Sequence, residues 1–200
     1  KSYFAEVAAQ KVRDMGPIWF RPANEMNGSW TPYYGDPTNY VKAWRRMYNI
    51  AEQLGVTAYN VFVWSPNSVS MPGTEANAMK NYYPGDMYVD WLERRYPLTL
   101  MQGIKQVSAD KPIMISEGGY SSTCDHQRWV REWFKLKDEE PRVKAVVWEN
   151  HENAENGDRR LQSDPLALEL YKELVQDPYW LDLIPDAVYS EIETRKNNSK

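Results

Sequence analysis

Apolar and polar positions along this chain fall into blocks that switch between a helical and a strand period. From Tyr3 to Met15, Phe4, Val7, Ala8, Val12 and Met15 recur at helical spacing, and Gly16-Pro17 stops the run. A short strand, Ile18 to Phe20, follows. Thr38 can cap a second helix with Val41, Trp44, Met47, Ala51 and Leu54 on its inner face, closed by Gly55 where a left-handed cap is favoured. The next apolar run, Val61 to Trp64, is broken by Ser65-Pro66-Asn67. The same rhythm predicts a strand at Tyr88 to Leu92, a helix at Leu100 to Val107 and a strand at Ile113 to Ser116. A helix at Trp129 to Leu136, with Trp129, Val130, Trp133 and Phe134 inward, then leads to a last strand, Val143 to Trp148. Asp164-Pro165 opens a closing helix with Leu166, Leu170 and Leu174 on one face. Strands alternating with helices at intervals of roughly 25 to 40 residues indicate parallel βα units.

A doubly wound open sheet and an eight-stranded barrel share that pattern. The chain has neither glycine-rich phosphate signature of the doubly wound nucleotide binders. In a barrel, the residues just past the carboxyl ends of the strands build the site. Asn24 and Glu25, Ser65 and Asn67, Glu117, and Glu149 with His151 all fall at such positions. The distribution favours the barrel, with residues 1–178 as its domain and 179–200 as a carboxyl-terminal tail.

Composition narrows the ligand. Two hundred residues, 42% of them hydrophobic, suffice for one sizeable core. A net charge of −4 without a basic cluster argues against nucleic acid, and no stretch is long and apolar enough to predict a membrane span. Nine Trp and fourteen Tyr offer flat apolar faces with polar tips, which suit sugar rings. One cysteine, Cys124, and two histidines, His126 and His151, have no structural zinc spacing.

Two carboxylates end apolar strands: Glu25 after "PIWFRPAN" and Glu117 in "KPIMISEGGY". Glycosidic hydrolysis uses such a pair, one to protonate the leaving oxygen and the other to attack or to activate water. Taken alone, a glutamate at a strand end is more often an ion-paired or capping residue. The order of "RPANEMNGSW", "VFVWSPN", "YYPGDMYVDW" and "PIMISEGG" resembles family 26 of the glycoside hydrolases, from about Lys11 to Lys172. Arg-Pro followed by Glu-Met-Asn-Gly-x-Trp is the most specific of these motifs.

The resemblance implies a (β/α)8 barrel, an endo-β-1,4-mannanase activity and a retaining double displacement that uses neither metal nor other cofactor. It implies Glu25 as acid/base at the end of the fourth strand and Glu117 as nucleophile at the end of the seventh. Retention requires the two carboxyl groups to stand about 5–5.5 Å apart. Arg21 and Asn24 are expected to orient the reacting groups, Arg21 by pairing with Glu117, with knitting of the barrel's inner layer as the competing role for Arg21. Trp30, Trp64 and Trp148 are candidates to stack sugar rings; core packing competes for Trp64, and for Trp148 the family implies a platform under the sugar at the cleavage point. Asn67 and Tyr88 are weaker candidates, whereas Tyr82, Tyr83 and Asp86 are expected to serve stability. The expected partner is a polysaccharide, and the expected setting is outside the cell.

Three features depart from the family pattern. Asn24 stands where family 26 mannanases usually carry His, so mixed-linkage β-glucan and xylan stay open beside mannan. After "YVDW" the chain runs on as "LERRYPLTL", where either Tyr96 stands beside the nucleophile or a shortened loop leaves a more open cleft or an impaired nucleophile environment. A barrel takes roughly 250 residues, and the first strand here matches the family's fourth, so about the last five βα units are expected, as part of a longer chain. A non-catalytic carbohydrate-binding or surface-scaffold protein is the rival reading. The acidic segment "WENHENAENGDRR" reads as a solvated rim loop before it reads as a cation site, and a glycan on the Asn27 sequon would block the proposed site.

Overall fold

The computed structural model describes residues 3–95, 102–120, 124–153 and 157–180. Among these, helices and strands follow one another as α1 (Tyr3–Met15), β1 (Ile18–Phe20), α2 (Pro37–Gln53), β2 (Asn60–Trp64), β3 (Trp91–Arg95), α3 (Gln102–Lys105), β4 (Ile113–Gly118), α4 (His126–Glu139) and β5 (Val143–Trp148). A two-residue hairpin, β6 (Glu152–Asn153) with β7 (Gly157–Asp158), precedes α5 (Pro165–Leu174). The five long strands pair in sequence order and all in parallel. They form half of a (β/α) barrel, with helices covering the outer face.

Strand alternation divides that sheet into two faces. Phe20, Phe62, Leu92, Ile113, Ile115 and Val143 belong to the core under the helices; Phe62 packs edge-on to Phe20 and Trp44. Trp19 and Trp91 meet edge-on at 4.6 Å on the other face, where Trp19 is 47% exposed. Val147 on β5 is also exposed. Within the described residues, β1 and β5 are the outer strands of the sheet.

Several boundaries differ from the sequence expectation. Asp36, not Thr38, caps α2: its side chain accepts from the Asn39 amide and Pro37 occupies the first turn, where a missing N–H costs nothing. β3 starts at Trp91 rather than Tyr88. Gly85, at φ 101°, begins a single 3-10 turn over Asp86–Tyr88, and Asp90 then takes the Phe62 amide on its carboxylate. The strand is thereby moved three residues on, so that Glu93 lies inside it. On α5 the buried residue is Ala167, with Tyr171, Leu170 and Leu174 packed on the core, whereas Leu166 is 66% exposed. Asp164 caps that helix through two backbone amides and sets this rotation. On α1, Ala9 and Val12 face the core, while Val7 and Met15 are exposed. Tyr179 and Trp180 also pack on the domain: Tyr179 donates to the Val143 carbonyl and Trp180 meets Phe134 edge-on.

Candidate active site

Glu25 follows β1 by five residues, in a turn where both Ala23 (φ 48°) and Glu25 (φ 58°) adopt left-handed backbone. Such a conformation costs a non-glycine residue about 1–3 kcal/mol and persists only where neighbours enforce it. Here the Glu25 amide donates to the Ser65 carbonyl at 2.7 Å, joining the end of β1 to the end of β2. Asn27 reinforces the join. It is fully buried, its amide donates to Asn67 O and Ser70 Oγ, and its oxygen accepts from the Asn67 amide. Asn77 and Tyr82 continue the network, since Asn77 donates to the Asn27 carbonyl and Tyr82 to Asn77. Asn27 is therefore a scaffold residue, and its buried, donating amide is closed to glycosylation in the fold.

Trp30 is 56% exposed, and its indole N–H donates to Glu25 Oε2 at 2.7 Å. The ring lies against the backbone of Gly28: a Cβ there would sit closer than 3.0 Å to three indole atoms. Tyr33 donates to the Asn24 carbonyl. Burial first, and the Glu25 charge second, raise the Tyr33 phenol above its ordinary pKa. Asn24 is half-buried in this turn.

Glu117 lies within β4, which runs two residues past its expected end at Ser116. Arg21, just past β1, donates from Nη2 to Glu117 Oε1 at 3.0 Å. Its Nη1 donates to Glu93 Oε1 at 2.7 Å and to Ser116 Oγ at 2.9 Å. Burial alone would lower the guanidinium, but Glu93 first and Glu117 second more than offset it, and its pKa is raised. The expected Arg21–Glu117 pair is present in this geometry. Glu93, 1% exposed, was missed by the sequence reading because the strand was placed too early. A charged residue at alternate spacing from Trp91 in "DWLERR" was the available signal.

The remaining candidates separate by burial. Trp64 has no exposed surface and packs on Tyr83, so it has no face to offer a sugar; it belongs to the core. Trp148 is half-buried among Tyr120, Trp133 and Tyr171, with its N–H on the Arg159 carbonyl. Asn67 ties down its own loop through the Val69 carbonyl. Tyr88 lies outside the barrel, under Arg45 and against Tyr48. Tyr96 lies outside the described residues. In the acidic segment Glu149 pairs with Arg159 and Asp158 with Arg160. Arginine there holds the Asp158 carboxyl well below its usual range.

The fold has known counterparts. Residues 2–95 match the family model described as glycosyl hydrolase family 26. Endoglucanase H of Acetivibrio thermocellus is 30% identical over 194 aligned residues, which take in 84% of this chain and 21% of that protein. The solved structure of GH26C from a Muricauda species is similar with a TM-score of 0.58 at 18% identity, covering 92% of this chain and 58% of its own. GH26A from the same source gives 0.50 at 23% identity, covering 72% of this chain and 47% of its own. At these identities the solved structures show the shared fold. The chain spans about a fifth of the curated relative and about half of each of these structures.

Proposed function

We propose, from the match of residues 2–95 to the model of glycosyl hydrolase family 26 and the 30% identity to an endoglucanase across 84% of this chain, that the chain is a member of that family and a retaining endo-β-glycanase, acting on β-1,4-mannan by double displacement outside the cell. The observation that carries the reading is the placement of the two carboxylates. Glu117 is oriented by Arg21, and Glu25 is held by the Trp30 indole in a turn that the fold strains to keep.

In this mechanism Glu117 attacks the anomeric carbon and forms a glycosyl ester, while Glu25 gives its proton to the departing glycosidic oxygen. Glu25 then takes a proton from water, which attacks the same carbon and releases Glu117. The two inversions restore the original anomeric configuration. Arg21 offsets the charge of Glu117 in the resting site. Trp30, exposed beside Glu25, offers its ring face to the adjoining sugar, as does whatever part of Trp148 its three aromatic neighbours leave open. Asn24 lies beside the acid/base in sequence, in the position to address a sugar 2-hydroxyl.

A second reading changes the sugar. The name Endoglucanase H on the relative, with Asn24 in place of the usual His, favours a β-1,4- or mixed-linkage glucan, with xylan third. Reducing-sugar release on mannan, mixed-linkage glucan and xylan discriminates these. Oligosaccharide binding without product on all three would refute catalysis and favour a carbohydrate-binding scaffold.

A further inference from the structure

Two carboxylates, Glu93 and Glu117, share the Arg21 guanidinium, and the mechanism above uses only Glu25, Glu117 and part of Arg21. The side chain of Glu93 is 2% exposed inside β3. Its Oε1 accepts from Arg21 Nη1 and from the Ser116 hydroxyl, and no described donor reaches its buried Oε2. A carboxylate buried with half its acceptor capacity unused is costly, and an apolar residue would fill the position at less cost. Its compensation lies in what it does to Arg21.

Arginine and a carboxylate left alone tend toward a two-pronged pair, in which both terminal nitrogens occupy both oxygens. Here the fork is divided. Nη1 is drawn to β3 by Glu93 and toward Ser116, and Nη2 is left to reach Glu117 Oε1. The shared charge also matters: one guanidinium compensates two carboxylates, so Glu117 receives only part of it.

Resting on the reading of Glu117 as nucleophile, we infer that Glu93 is a positioning residue that divides the Arg21 fork and keeps Glu117 from a two-pronged ion pair. Glu93 does not touch the substrate in this account. It acts through Arg21, and Ser116 holds it in place.

The test compares Glu93→Ala and Glu93→Gln in the full chain, on whichever polysaccharide the unaltered protein cleaves. Gln keeps an oxygen that accepts from Arg21 and Ser116, so the fork stays divided; Ala releases it. The expected result is a fall in kcat of about 10- to 100-fold for Ala with KM within about twofold, and recovery to within several-fold of the unaltered protein for Gln. An undiminished kcat for folded Glu93→Ala overturns the inference, as does equal loss in both variants. Crystal structures of the unaltered protein and Glu93→Ala read the inference without turnover. Arg21 pairing with Glu117 through both nitrogens only in the variant supports it, and Arg21 remaining in place overturns it. An unaltered protein that releases no sugar refutes the proposed function, whereas the crystallographic comparison still decides whether Glu93 divides the fork.

Discussion

Gly28→Ala is a one-carbon perturbation that reaches the proposed acid/base without touching it. The backbone of Gly28 is not in the left-handed region, so alanine brings no conformational strain there. The added Cβ would fall inside 3.0 Å of three atoms of the Trp30 indole. Restoring ordinary contact requires the ring to retreat by roughly 1 Å, which the half-exposed side chain is free to do. The indole N–H, now 2.7 Å from Glu25 Oε2, would then pass out of hydrogen-bond range. A hydrogen bond to a charged group contributes about 1.5–3 kcal/mol, and its loss at the proton donor corresponds to about 10- to 100-fold in rate. The assay is kcat on the polysaccharide beside kcat on an aryl glycoside with a strongly acidic leaving group. Protonation matters only for the first in the glycosylation step, so the loss should be large on polysaccharide and small on the aryl glycoside wherever that step limits the rate. Full activity on both, or equal loss on both with glycosylation rate-limiting, would refute the claim that Trp30 positions Glu25.

Other consequences concern stability and pH. Asn27→Ala removes a buried amide that joins the loops after β1 and β2; urea unfolding should show a loss of about 2–4 kcal/mol, and a change below 0.5 would remove Asn27 from its scaffold role. Burial would raise the Glu140 carboxyl, but Arg142 and Lys105 lower it to about 2, below the usual 4.5. A depressed carboxylate contributes stability that is present above the ordinary value and lost as pH falls through the folded one. Glu140→Gln should therefore cost on the order of 2 kcal/mol at pH 7 and little near pH 2; a pH-independent difference would contradict the assignment. Leu166→Lys, at the exposed start of α5, should leave the thermal midpoint nearly unchanged, with any effect within about 0.5 kcal/mol.

Much of the barrel half was legible because β1, β2, β4 and β5 are largely apolar runs followed by Pro, Asn or Gly. Strands β1, β2 and β5 sit within one residue of where periodicity puts them, and β4 starts where expected but runs two residues longer. The third strand was misplaced because "MYVDW" carries strand-forming residues, while the decision lay with Gly85 and the Asp90 side chain reaching Phe62. Such tertiary bonds leave no periodic trace. That error hid Glu93, since a strand ending at Leu92 leaves Glu93 in a loop.

Within the site, Glu25, Glu117, Arg21 and Trp30 were visible as polar or aromatic residues at strand ends, a position that means chemistry in a barrel. Alternation could not say which tryptophans keep an exposed face. Trp30 and Trp64 both follow apolar runs, yet only Trp30 escapes burial. The scaffold role of Asn27 was not legible, because nothing local announces that Asn67, Ser70 and Asn77 converge on it from 40 or more residues away.

The most direct test of the central claim is to treat the full chain with activated 2-deoxy-2-fluoro glycosides of mannose, glucose and xylose and to map any covalent adduct by peptide mass spectrometry. One sugar ester is expected, on Glu117, formed by the unaltered protein and absent in Glu117→Ala. A stable adduct on another carboxylate, or polysaccharide cleavage that inverts the anomeric centre, would contradict it.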